Sequence, residues 1–189
     1  PNLAQVPADK RFRELFKATP GVSMVGADLS GIELRILSHY LARFDGGRYA
    51  DALINGDIHQ ENADKIGISR KQIKTVTYAF LYGAGNQRIG IAYDKQLSES
   101  AAKKKGKEIR QAYVSAIPGL KELLEAVHKA SERGYVRGLD NRRILCDSRH
   151  KSLNYLLQGS AAIIAKKWMV IAHEEKPQSA QQLAFVHDE

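Results

Sequence analysis

The 189 residues carry 43% hydrophobic content, enough for one cored domain or two closely packed lobes, and 29 Lys+Arg against 21 Asp+Glu leave a formal charge of +8. That excess suits a polyanionic partner, through counterion release, as well as it suits plain solubility. A single cysteine, Cys146, excludes an internal disulfide, and there is neither a charged-then-apolar leader nor an apolar run long enough for a bilayer, so the chain reads as soluble, intracellular and cytoplasmic, with no membrane partner.

The chain opens on Pro1 and stops at Glu189 directly after the apolar Leu183 to Val186, which reads as a piece cut from a longer chain. Val22 to Ala27 is short, apolar and partly β-branched, and predicts a buried strand ending at Asp28. Ser30 and Glu33 have the spacing of a capping box, and apolar Ile32, Leu34, Ile36, Leu37, Tyr40 and Leu41 predict a helix ending near Asp45-Gly46-Gly47. Residues 48–68 predict short helices broken at Gly56 and Gly67. Ser69 caps a helix from Arg70 to about Tyr82, stopped by Gly83-Ala84-Gly85. A basic helical stretch covers about 97–116, and Pro118 opens a helix to about Arg133. Tyr135 to Leu145 predicts a hairpin around Asp140-Asn141, Lys151 to Glu175 a long helix, and Leu183 to Val186 a last strand. Helices segregated from strands predict an α+β fold.

Asp28, and Asp188 with Glu189, end two predicted strands. Carboxylates so placed can hold magnesium, and two such ions can clamp the attacking and leaving oxygens of a phosphoryl transfer. Taken alone, each acid fits a helix cap or a solvated turn at least as well. Arg70, Lys74, Tyr78 and Tyr82 recur every four residues along one helix. Two cations near a helix N-terminus favour an anion, and a tyrosine further on offers a ring to a base or sugar, which together is the shape of a nucleoside triphosphate. An ordinary amphipathic helix, with core tyrosines and solvated cations, explains the same spacing equally well. His59 can donate to a phosphate, or be structural. Asn154 and Gln158, four apart, can read minor-groove acceptors, or serve as surface hydrogen-bonding groups. Lys103, Lys104, Lys105, Lys107 and Arg110 form a basic run whose default reading is a solvated helix face, with phosphate contact second.

These segments together resemble the polymerase domain of family A DNA polymerases, the polymerase I type, and among them the replicative enzymes of short-tailed phages. The likeness spans nearly the whole chain. It rests on the leading segment Pro1-Asn2-Leu3-Ala4-Gln5-Val6-Pro7 and on Asp28-Leu29-Ser30-Gly31-Ile32-Glu33-Leu34-Arg35, similar to the first palm motif. It rests equally on Arg70-x-x-x-Lys74-x-x-x-Tyr78-x-x-x-Tyr82-Gly83, similar to the mobile fingers helix, and on Val186-His187-Asp188-Glu189, similar to the last palm motif.

The resemblance implies an antiparallel palm, here partial, with a mostly helical fingers subdomain: palm over 1–47 and 151–189, fingers over 48–150. It implies template-directed addition of deoxynucleotides to a primer 3′-hydroxyl, with primer–template DNA and dNTP as partners and a processivity factor as a further one not visible here; the setting is the host cytoplasm if the gene is a phage's. Asp28 and Asp188 would bind two Mg2+ ions, with Glu189 beside them. Arg70, Lys74 and His59 would hold the triphosphate, Lys74 also serving catalysis, and Tyr78 would pack on the incoming sugar and base. Glu33 would close the space beside C2′ against ribonucleotides and bond to Tyr78. Gln5, Tyr82, Asn154, Gln158 and His187 would touch DNA, with Arg142 and His150 as looser matches. Two rivals are a phage-type single-subunit RNA polymerase, against which Glu33, Tyr78 and Glu189 argue, and a non-catalytic DNA-binding module.

Overall fold

Most helices of this chain begin just after a short polar side chain or a glycine that serves as N-cap. The computed structural model describes residues 6, 7 and 9–187, and they are mainly helical. In chain order the elements are α1 (Lys10–Arg13), α2 (Ile32–Asp45), α3 (Arg48–Asn55), α4 (Ile58–Ile66), α5 (Arg70–Leu81), α6 (Asn86–Tyr93), α7 (Glu99–Ala116) and α8 (Leu120–Ser131). They are followed by β1 (Tyr135–Arg137), β2 (Arg143–Leu145), a 3-10 turn at Arg149–Lys151 and α9 (Ser152–Glu175). Side chains of Asp9, Asp57, Ser69 and Ser98 accept from backbone N–H groups in the first turns of α1, α4, α5 and α7. Each satisfies a donor that a helix start leaves without an intrahelical partner. Asp45 serves α3 from outside: its two carboxylate oxygens accept from the N–H groups of Gly47 and Tyr49, both at 2.8 Å.

The chain divides into two units, residues 33–161 and residues 1–32 with 162–189. In the larger unit, Leu37 and Leu41 of α2, Ile73 and Leu81 of α5, Ile89 of α6, Tyr113 of α7, Leu120 of α8 and Leu157 of α9 are buried together with Val136 of β1. The Tyr40 hydroxyl of α2 shares a 2.8 Å hydrogen bond with Ser160 of α9. Helices α6 and α7 meet backbone to backbone: a Cβ on Gly90 would lie 1.9 Å from the Ala102 carbonyl oxygen, and one on Gly106 would lie 1.7 Å from that of Asn86. The hairpin pairs Tyr135 with Leu145, Val136 with Ile144 and Arg137 with Arg143. Its turn places Asn141 at φ 64, a conformation asparagine tolerates better than most residues.

In the smaller unit, the chain after α9 folds back along it. Gln182 Nε2 donates to the Met169 carbonyl at 3.1 Å, and the Trp168 and Phe185 rings lie 6.4 Å apart.

The α+β class stands, with β1 and β2 as the antiparallel pair. Two predicted strands do not form. Residues 22–29 and 181–186 form neither helix nor ladder, and Val22, Met24, Val25 and Leu183 are exposed. Their alternation suits a pleated, half-buried surface, but a strand exists only when a neighbour takes its N–H and C=O groups, and among the described residues only β1 and β2 pair. Helix α6 has no counterpart among the sequence expectations. Pro118 precedes α8 rather than opening it, because Gly119 at φ 79 takes the N-cap.

Candidate functional site

Helix α5 is set by a full capping box: the Ser69 hydroxyl accepts from the Gln72 N–H, and the Gln72 side chain accepts from the Ser69 N–H at 3.0 Å. With its start fixed, the 3.6-residue period sorts its faces. Ile73, Val76, Thr77, Phe80 and Leu81 are buried, whereas Arg70 and Lys74 are exposed, Tyr78 is half-buried and Tyr82 is 47% exposed. The two cations and Tyr82 therefore face outward with Tyr78 half-buried among them, so neither tyrosine is fully in the core.

At the helix N-terminus, Arg70 Nε donates to Asp57 Oδ2 at 2.7 Å. Both side chains are about half exposed, so the pair contributes only about 0–1 kcal/mol and is readily exchanged for a stronger anion. His59, in the first turn of α4, lies beside them, and its ring centroid is 6.3 Å from that of Tyr78. Burial holds the His59 imidazole below its ordinary pKa, with the positive charges of Arg70 and Lys74 adding to the effect and Asp57 opposing it. Its Nδ1 is buried and has no hydrogen-bond partner among the described residues. The three residues assigned to the triphosphate thus share one electrostatic neighbourhood.

At the other end of α5, the Tyr82 hydroxyl donates to Glu33 Oε1 at 2.7 Å, and Gln158 Nε2 approaches the same oxygen at 3.4 Å. Asn154 Nδ2 donates to the Leu81 carbonyl at 3.1 Å. Glu33 is only 4% exposed and lies in the first turn of α2, where the helix dipole favours a carboxylate. Three predicted site residues, Glu33, Tyr82 and Gln158, are thereby joined, and Asn154 is tied to the last turn of α5. The resemblance leads to Tyr78 as the partner of Glu33; the hydroxyl found on its Oε1 is that of Tyr82.

Tyr82, Gly83, Arg88, His150, Lys151 and Asn154 line an open hollow of about 700 Å³. Arg88 and Lys151 were not singled out in the sequence, because a lone exposed cation carries no periodic signal. Arg110, read as part of a solvated basic run, behaves differently: it is half-buried, its Nε donates to Asn86 Oδ1 at 2.9 Å, and its Nη2 donates to the Ala84 carbonyl. Its guanidinium carbon lies 5.2 Å from the centre of the Phe80 ring. Burial lowers its pKa. The signal was present, since Arg110 is one residue past buried Ile109 and four past buried Gly106.

Asp28 lies in the irregular segment 22–29 of the smaller unit, exposed, and hydrogen-bonds to none of the described residues. His187 sits in an exposed turn at φ 62. Gln5, Asp188 and Glu189 lie outside the described residues. Among the described residues no three His, Cys, Asp or Glu side chains gather to hold a metal, and no helix is long and apolar enough to cross a membrane.

Comparison with known proteins covers the same segments. The DNA-directed DNA polymerase of Escherichia phage T7 is 32% identical over the whole chain, which matches 31% of that protein. DNA polymerase I of Pseudomonas aeruginosa is 29% identical, again over the whole chain and 23% of its own length. The chain thus spans between about a quarter and a third of these relatives. The POL domain of Pol1 from M. smegmatis, solved in complex with DNA primer-template and dNTP, shares the fold with a TM-score of 0.72 at 24% identity, covering 100% of this chain and 37% of that one. The family model described as DNA polymerase family A matches residues 1–189, so the chain belongs to DNA polymerase family A.

Proposed function

We propose that this chain supplies the fingers and part of the palm of a template-directed DNA polymerase, with helix α5 as its nucleotide-binding element. The observation that carries the reading is the outward stripe of Arg70, Lys74, Tyr78 and Tyr82, with His59 beside its cationic end and Glu33 fastened at its other end. About 18 Å of helix separates the two ends, at 1.5 Å per residue, a length on which phosphates and a nucleoside can both lie.

Arg70 and Lys74 bind the triphosphate, aided by the helix N-terminus, and His59 donates to a phosphate oxygen. Tyr78 stacks on the incoming sugar and base. Glu33, held by Tyr82, blocks the space that a 2′-hydroxyl would need. Lys74 neutralises charge on the departing pyrophosphate as the primer 3′-hydroxyl attacks the α-phosphate, so catalysis is mainly positioning and charge stabilisation. Asp28 offers an exposed carboxylate, a hard oxygen donor of the kind magnesium takes, and Asp188 is its partner in this reading. The chemistry supplied by two bound magnesium ions is a lowered pKa for the attacking hydroxyl and charge neutralisation on pyrophosphate. Gln5, Asn154, Gln158 and His187 contact the DNA near the primer end. The cytoplasm, where dNTP and DNA meet, is the proposed setting.

Primer extension with Mg2+ tests this reading. Lys74→Ala is expected to lower the extension rate about 100-fold, the scale of losing one transition-state donor, and Asp28→Ala to abolish it. DNA binding by the parent chain without magnesium-dependent extension would instead identify a non-catalytic binding module.

A further inference from the structure

The hairpin β1–β2 collects positive charge in a way that folding alone does not favour. Arg137 and Arg143 are directly opposite one another across the two strands. Like charges in that position destabilise a strand pair. A third cation joins them: the guanidinium carbons of Arg133, Arg143 and Arg137 lie 4.7, 4.9 and 6.0 Å from the centre of the Tyr135 ring. All three arginines are exposed, and among the described residues none is in an ion pair with a carboxylate. Two acids of the hairpin turn and of the segment after β2 are committed elsewhere. Asp140 Oδ2 accepts from Arg142 Nε at 2.6 Å, and Asp147 accepts from the Tyr155 hydroxyl.

The other face of the hairpin explains why the arginines point outward. Val136 is 2% exposed, and Ile144 Cδ1 lies 2.4 Å from where a Cβ on Gly159 would be, so its side chain rests on bare α9 backbone. Gly159 follows Gln158, whose amide reaches Glu33. The anchored face therefore fixes the arginine face relative to the fingers site. Beyond β2 the chain reaches Asp147 and its bond to Tyr155, and Tyr155 lines the hollow beside Tyr82.

We propose that the Tyr135 face of this hairpin, through Arg133, Arg137 and Arg143, binds the phosphodiester backbone of a nucleic-acid strand. The planar guanidinium fork suits phosphate oxygens, and a polyanion relieves a cross-strand repulsion that no carboxylate among the described residues offsets. The face is open rather than enclosed, which favours an extended anion over a small one. Tyr135 holds the three guanidinium groups at one place through cation–π contact. The inference rests on the DNA-binding part of the proposed function.

The test is the salt dependence of binding a fluorescein-labelled primer–template duplex, measured on the full chain from about 50 to 200 mM KCl. Loss of two phosphate contacts in Arg137→Gln/Arg143→Gln is expected to reduce the log–log salt slope by about 1.8, at about 0.9 per contact, with severalfold weaker binding at the low-salt end. Arg137→Lys/Arg143→Lys, which keeps both charges, is expected to retain the parent slope, and thermal melts of both variants show whether the hairpin still folds. A folded Gln variant with the parent's slope and affinity overturns the inference while leaving the proposed function intact. A parent chain that binds no duplex at all overturns both.

Discussion

Glu33 is a buried carboxylate that accepts from Tyr82 and is approached by Gln158, so its side chain cannot swing away from the outward edge of α5. That rigidity is what a gate against a 2′-hydroxyl requires. Glu33→Ala is expected to admit ribonucleotides in primer extension, at a stability cost of about 1 kcal/mol, because Tyr82 is exposed enough to bond to water instead. Unchanged discrimination in that assay would remove the gate role. His59 supplies a second test at this scale. Burial and the charges of Arg70 and Lys74 hold its pKa below the ordinary 6.5, and burial, with Arg149, does the same to His128. For each, the unfolded chain binds the proton more readily than the folded one. Their contribution is therefore intact above the ordinary value and is lost as pH falls through the folded one. Urea unfolding is expected to show stability declining from about pH 6.5 downward, with a shallower decline in His59→Gln. An identical decline in that variant would contradict the assignment.

Single elements were legible in the sequence where a local device sets them. The Ser69 cap, the helix break at Gly67 and the hairpin turn around Asp140-Asn141 all act within a few residues, and each stands where the sequence placed it; the structure adds Gln72 as the second half of the Ser69 cap. What the sequence concealed depends on distant partners. Helix α6 carries Gly90 within it and follows Gly85, which locally reads as loop; it is helical because Gly90 and Gly106 let α6 and α7 touch backbone to backbone. Arg110 looked solvated because its neighbours in sequence are, yet it ties Ala84 and Asn86 to α7. The segments 22–29 and 181–186 carry strand-like residues, but pairing is a property of two chains of atoms and not of one. The close crossing makes a sharp expectation: Gly106→Ala drives a methyl into the backbone of α6 and is expected to destabilise the protein by about 3 kcal/mol or more, read as a fall in urea midpoint at unchanged slope. A loss under about 1 kcal/mol would show that the helices can part.

At the scale of the molecule, the larger unit holds the α5 stripe, the Glu33 network, the hollow and the arginine face, whereas Asp28 belongs to the smaller one. The charge of +8, ambiguous as a bulk number, acquires a location in Arg70, Lys74, Arg88, Lys151 and the hairpin arginines. The candidate site was legible where its residues share one helix or one motif, and least so for the hollow, whose walls come from α5, α6 and α9. The central claim is that the outward stripe of α5 binds a nucleoside triphosphate. The most direct measurement is an NMR titration of the isotope-labelled chain with dATP, following the His59 imidazole and the α5 amides. The expected result is a rise in the His59 pKa as phosphate oxygens approach it, with amide shifts along 70–82, both lost in Lys74→Ala. Shifts that bypass α5, or that persist equally in Lys74→Ala, would contradict it.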